Sequence, residues 1–186
     1  MSSNKNKNPL YFIALIPPAD IRKEVENLKK EINRKFGLIH ALKLEAHITL
    51  QIPFRMKESK ENILVKKIQK FSVNHHSINT RLDGFGRFAK NVVFIEVFDH
   101  DPFIKLHAEL QEFMLNFIEL KSHEISSKIH PHITLATRDL KRSHFPEIWE
   151  YIQEKKYSTS VKFEIIRLLK HNGKVWIPVQ NFTLSG

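Results

Sequence analysis

Apolar positions in the first half of the chain fall into alternating rhythms. Leu10–Ile16 is an apolar run of strand length, closed by Pro17–Pro18. Asp20 then stands where a helix N-cap belongs. Ile21, Val25, Leu28, Ile32 and Phe36 recur at helical spacing, and Gly37 occupies the place of a C-terminal stop. Leu42–Ile52 alternates as a strand does, and Pro53 ends it. A second helix is predicted over about Ser59–Phe71, with Leu64, Ile68 and Phe71 on one face. Ser77–Phe85 and Asn91–Phe98 read as two strands around a turn containing Gly84 and Gly86.

The order then repeats. Asp101–Pro102 pairs an N-cap residue with Pro at the first helical position, and Phe103, Leu106, Leu110, Phe113 and Phe117 form the stripe of a long helix. His132–Thr137 is a strand, and Ser143 to about Lys156 is a helix carrying Ile148, Trp149 and Ile152. Val161–Leu169 and Lys174–Leu184 are closing strands joined by a turn at His171–Asn172–Gly173. Strand, helix, strand, helix, strand over residues 10–85 is thus answered by the same series over 91–184, with one strand more. That is the pattern of a duplicated α+β unit. No linker rich in Pro, Gly or Ser separates the halves. The expectation is a disordered tail over residues 1–8, then one two-lobed domain over 9–186. Its lobes would span about 9–90 and 91–186, with exchange of strands between them allowed.

Composition narrows the chemistry. The 186 residues include no Cys, which excludes a thiol nucleophile, a thiolate metal site and a disulfide framework. Only 5 Gly are present and neither common glycine-rich phosphate loop occurs, so any phosphate must be held by side chains. Thirty Lys and Arg against 20 Asp and Glu give a net charge of +10, which invites a polyanion. The alternating signs over Arg22–Glu31 are also what a solvated helix face looks like. No apolar run approaches the roughly 18 residues of a membrane span, and the polar N-terminus lacks the apolar core of a secretory signal. A cytoplasmic protein with no membrane partner is expected.

The third element of each half carries the same tetrapeptide. His47-Ile48-Thr49-Leu50 and His132-Ile133-Thr134-Leu135 lie 85 residues apart. Thr makes up about 3% of the chain, so composition alone supplies about a third of one His-x-Thr pair among the 11 His. Two such pairs in matched elements with identical neighbours mark a site. Residues i and i+2 of a strand share a face, so each His accompanies its Thr while Ile and Leu enter the core. A pseudo-twofold axis would bring the two strands face to face. Two imidazoles flanking a phosphate can serve as general base and general acid, because their ordinary pKa of about 6.5 lies near working pH. Two hydroxyls between them can hold the non-bridging oxygens, and a charged imidazole offsets developing negative charge.

These paired motifs in a duplicated α+β chain resemble the 2H phosphoesterase superfamily, and within it the RNA 2′,3′-cyclic phosphodiesterase and 2′-5′ RNA ligase-like group. The likeness also takes in Tyr11–Ile16 with the following Pro pair, Leu82–Phe88 before Val92–Val97, and Trp176 with Phe182–Leu184. The resemblance implies a two-lobed fold in which antiparallel sheets line a central cleft and helices cover the outside. It implies metal-independent opening of a cyclic phosphodiester at an RNA or nucleotide end, or action on a 2′-5′ linkage, with ligation as the reverse. It makes His47 and His132 the acid and base and Thr49 and Thr134 the phosphate holders, with no cofactor. His47 is assigned here as proton donor and His132 as base, and the orientation of the substrate sets which is which. Two departures bear on the substrate. Ala41–Ala46 replaces a Trp- and Pro-containing segment, and Thr137 stands where an Arg is common, with Arg138 one step later.

Further substrate contacts are proposed at His130, Phe54 and Arg55, although core packing is the plainer account of Phe54. Lys43 shares the His47 face by parity. A metal held by His130, His132 and His47 is the weaker reading, because no carboxylate is evidently placed with them. The partner expected is an RNA end or a nucleotide cyclic phosphate, acted on by a monomer. The alternative is an RNA- or nucleotide-binding module without turnover.

Overall fold

A computed structural model describes residues 8–186; the expected N-terminal tail lies, apart from Asn8, outside the described residues. In chain order the first half contains β1 (Leu10–Ile16), α1 (Ala19–Phe36), β2 (Ile48–Arg55), α2 (Glu61–Ser72) and β3 (Ile78–Phe88). The second contains β4 (Val92–Val97), α3 (Asp101–Leu115), β5 (His132–Ala136), α4 (Phe145–Gln153), β6 (Ser158–Phe163), β7 (Ile165–His171) and β8 (Trp176–Thr183). Two antiparallel four-stranded sheets result, ordered β2-β1-β7-β8 and β5-β4-β3-β6. No helix among the described residues is long and apolar enough to cross a membrane.

β1 is apolar throughout because it is interior to its sheet and covered on both faces. Tyr11, Ile13 and Leu15 enter the main core, while Phe12, Ala14 and Ile16 join Leu169, Leu44 and Trp176 in a smaller cluster on the other face. α1 starts after Pro18, which occupies the N-cap itself, so Asp20 sits in the first turn near the positive end of the helix dipole. Gly37 ends the helix at φ 72°, its N–H bonded to the Asn33 carbonyl. α1 packs against β5 and α3 against β2, so each motif strand is backed by the helix of the other half. β2 and β5 are edge strands of separate sheets and approach one another.

Three further expectations are corrected. The strand foreseen at Leu42–Ile52 begins only at Ile48, and His40–Lys43 is a 3₁₀ turn. Asp139 Oδ2 accepts from the Ile39 and His40 N–H groups at 2.8 Å each, and Lys29 Nζ donates to the Leu44 carbonyl at 3.0 Å. These bonds hold the segment off the sheet. The strand then runs on through Pro53, an exposed residue whose missing N–H is harmless on an edge.

Gly84 and Gly86 lie inside β3, not in its turn. Gly84, at φ 73°, takes up a register slip between Leu82 and Phe85, and the chain reverses at Ala89–Asn91. Lastly, the strand foreseen at Val161–Leu169 breaks at Glu164 into β6, paired with β3, and β7, paired with β1. The two halves therefore exchange strands, β3 joining the sheet of the second half and β7 and β8 that of the first. One sheet is built from residues 78–163, and the other from 10–55 together with 165–183.

Candidate active site

The two motifs sit in equivalent places. His47 immediately precedes β2 and His132 opens β5. Ile48, Leu50, Ile133 and Leu135 are buried, whereas the His and Thr partners are half-buried on the opposite face. Each imidazole is oriented in the same way. His47 Nδ1 donates to the Glu45 carbonyl at 2.8 Å, and His132 Nδ1 to the His130 carbonyl at 2.6 Å. A carbonyl only accepts, so the proton is fixed on Nδ1 and each Nε2 is left for chemistry.

The residue two before each His is itself tethered. The Glu45 carboxylate is clamped between Arg22 of α1, at 2.8 Å, and Arg167 of β7. The His130 ring lies 3.3 Å from Glu96 Oε2, and its plane meets the His100 ring edge-on at 4.5 Å between centroids.

The surroundings of the two rings differ. His47 packs on Phe12, and burial, the Lys29 ammonium and His132 together push its pKa down to about 3. His132 lies against Phe88 and Phe94. Burial lowers its pKa, its bond to the His130 carbonyl raises it, nearby His130 lowers it and Glu96 raises it. Both rings are therefore neutral at pH 7 in the free protein. Lys29 is 5% exposed, and burial brings its own pKa down to about 8.

A cleft of about 430 Å³ takes in His47 and Thr134, one member of each motif. Thr49 and His132 lie outside its lining. Lys29, Lys43, Arg138 and Lys174 supply its positive charge, and Trp176 forms an aromatic wall. Trp176 is held edge-on by Phe12 at 4.5 Å and by His171 at 5.0 Å. Lys43 reaches this cleft from the 3₁₀ turn and not by strand parity. Arg138 adopts φ 55°, a left-handed conformation, and the Asp139 N–H closes a tight turn on the Thr137 carbonyl at 2.6 Å. That turn carries Arg138 to the cleft although it follows the usual Arg position by one residue.

Two expected contacts are not at the site. Phe54 is fully buried against Tyr11, because it shares the core-facing parity of Ile48 and Leu50. Arg55 has the His47 parity but lies eight residues along the strand, roughly 25 Å at the usual rise, and it bonds the Asn8 carbonyl at 3.0 Å. His130 lies on the His132 side of the site, outside the cleft's lining. Sequence reasoning missed Lys29, Phe12, Glu96 and His100. Lys29 left a signal, since it falls on the Val25–Ile32 stripe of α1 and breaks it with a charge.

Two antiparallel sheets that bring duplicated His-x-Thr strands together, with both imidazoles pinned through Nδ1, define a protein of the 2H phosphoesterase class. The chain belongs to the 2′-5′ RNA ligase superfamily, whose family model matches residues 17–175. It is similar to a provisionally named phosphoesterase of Geobacillus sp. (strain WCH70), 24% identical over 95% of this chain and 96% of that protein. A second such protein, from Geobacillus kaustophilus (strain HTA426), is 23% identical over the same shares. The fold resembles that of TT0787 of Thermus thermophilus, with a TM-score of 0.67 and 18% identity over 95% of this chain and 98% of that one. It also resembles E. coli LigT complexed with 3′-AMP, with a TM-score of 0.66 and 18% identity over 97% of this chain and all of LigT.

Proposed function

We propose that the protein opens ribose 2′,3′-cyclic phosphates at RNA or nucleotide ends by paired imidazole catalysis. The observation that carries this reading is the matched fixing of the two rings, Nδ1–H to the carbonyl of residue i−2 in both. Each Nε2 is thereby presented as one end of an in-line displacement. One imidazole takes the proton of the attacking water as the new O–P bond forms. The other gives its proton to the ribose oxygen whose bond to phosphorus breaks, so that a monoester remains and the two rings have exchanged a proton. Thr49 and Thr134 hold the non-bridging oxygens. A 5′-hydroxyl in place of water makes a phosphodiester at the same site, which is the ligation direction. Both proton transfers are assigned to side chains, and no metal is needed for either.

His47 as proton donor implies that the ring takes up a proton from solvent as the substrate binds. Burial first, and the Lys29 ammonium after it, keep the free ring neutral, and an anionic phosphodiester offsets the Lys29 charge. A nucleotide end suits the cleft, where Trp176 offers a stacking face and Lys43, Arg138 and Lys174 offer charge. LigT, which shares the fold, is seen with 3′-AMP.

The test is hydrolysis of nucleoside 2′,3′-cyclic phosphates in the presence of a chelator, with product regiochemistry read by phosphorus NMR. His47→Ala and His132→Ala should each lower turnover by roughly 10²–10⁴-fold. The double variant should be little worse than either single one, because the two act as a unit. Intact cyclic substrate with the wild-type protein would sink the proposal, and RNA binding that survives both substitutions would then point to a binding module.

A further inference from the structure

Glu96 of β4, His100 before α3 and His130 before β5 are far apart in sequence and meet at one point beside the active site. Their ligand-capable atoms, a carboxylate oxygen and two imidazole nitrogens, all lie within 4.8 Å of one another. This is the one such group of three or more among the described residues. The carboxylate that the sequence did not place beside His130 is thus supplied by the fold, with His100 as partner in place of His47 and His132.

The position of Glu96 is built for. A Cβ on Gly86, in the neighbouring strand, would fall 2.1 Å from Glu96 Oε1, so the glycine leaves room for that carboxylate. Phe88 and Phe94 wall the His130 ring edge-on at 5.2 and 5.4 Å. Aromatic walls of this kind lower the local dielectric around a bound cation.

We propose that Glu96, His100 and His130 form a site for a borderline divalent cation of the Zn²⁺ type. Two imidazoles and one carboxylate match Zn²⁺, with water as fourth ligand, and suit Mg²⁺ or Ca²⁺ poorly, since those ions prefer all-oxygen shells. Bonds of about 2.0–2.1 Å require the donors to close in by about an ångström. The partly exposed rings of His100 and His130 can make that movement by rotation. The ion lies outside the acid–base path and leaves both catalytic Nε2 atoms free.

Its structural consequence follows from the duplication. In the first half the residue whose carbonyl holds the catalytic imidazole, Glu45, is locked by two Arg. In the second half the side chain of the equivalent residue, His130, has ring contacts and one polar contact, at 3.3 Å to Glu96. A cation on Glu96, His100 and His130 supplies the missing lock and fixes the segment that orients His132. Such a cation would lock this segment whichever phosphodiester is the substrate.

The test uses the full chain, first stripped with chelator, titrated with ZnCl₂ by calorimetry and with CoCl₂ by visible absorption. The expected result is one ion per chain, with the d–d bands of a low-coordinate Co²⁺ site. His100→Ala and Glu96→Gln should each weaken binding by at least about tenfold. The isosteric Gln variant, checked by circular dichroism, guards against misfolding. The His47→Ala/His132→Ala double variant should bind as the wild type does. Wild-type affinity in both His100→Ala and Glu96→Gln overturns the site, and so does loss of binding in the double variant, which would place the ion in the catalytic cleft.

Discussion

At the scale of single residues, the site combines groups whose local cost is visible. Arg138 holds a left-handed backbone to bring its guanidinium to the cleft, a conformation that costs a non-glycine residue roughly 1–2 kcal/mol. Arg138→Ala and Arg138→Gly both remove the charge and should raise KM alike. The Gly variant should be the more stable of the two by about 1 kcal/mol in urea unfolding. Equal stabilities would mean that the turn is unstrained.

The two rings set the pH behaviour. The competent free protein needs one imidazole charged and the other neutral, yet His47 titrates at about 3 and His132 below its ordinary value. The form with a charged donor therefore declines as pH rises, and kcat/KM should peak on the acid side of pH 6.5. In the complex the bound phosphate raises both pKa values, so kcat should hold to higher pH than kcat/KM does. Lys29 is, after burial, one of the causes holding His47 down and is not among those acting on His132, so Lys29→Met raises the His47 pKa, and the acid limb of the kcat/KM profile should move to higher pH. An unmoved profile would remove Lys29 from the electrostatics of the site.

At the scale of elements, the geometry rests on a close approach between β3 and β4. Gly86 pairs with Phe94, and a Cβ there would lie 2.4 Å from a Phe94 ring that also packs on His132 at 4.9 Å. Gly86→Ala should cost roughly 1–3 kcal/mol as an overpacking change, read by denaturant unfolding. It should also lower turnover by tilting the Phe94 ring against His132. Retention of both would show that the sheet yields there.

Much of the fold was legible from the chain, because the helix stripes and the two His-x-Thr alternations are strong local signals. The place where the chain crosses between sheets leaves only a trace in the sequence. Buried parity runs through Val161 and Phe163, then slips at Glu164 to Ile166 and Leu168. A continuous apolar alternation hides a change of sheet unless its phase is followed. The segment before His47 misled for a different reason. Its alternation suits a strand, but Asp139 and Lys29 claim its backbone groups, and neither is near it in sequence. Glu96 and His100 were invisible as partners of His130 because only the β4–β5 pairing and the start of α3 bring them together.

At the scale of the whole molecule, the net charge of +10 is not spread evenly around the reacting phosphate. Lys29, Lys43, Arg138 and Lys174 lie on the cleft side with His47, whereas His132 faces Phe88, Phe94 and, through His130, Glu96. An RNA chain leading away from the cyclic phosphate thus gains charge neutralisation only along the Lys43–Lys174 rim. Single-stranded RNA loses affinity with salt at a slope of about −0.7 per neutralised phosphate. An oligoribonucleotide that places two further phosphates on the rim should therefore add about −1.4 to the slope of log kcat/KM against log salt, or roughly sevenfold between 50 and 200 mM. A nucleoside 2′,3′-cyclic phosphate lacks those phosphates and should show the shallower dependence. Lys43→Ala with Lys174→Ala should flatten the oligomer's slope toward that of the mononucleotide. Equal slopes for the two substrates in the wild-type protein would mean that the surplus charge serves solubility and that the substrate is a small cyclic phosphate.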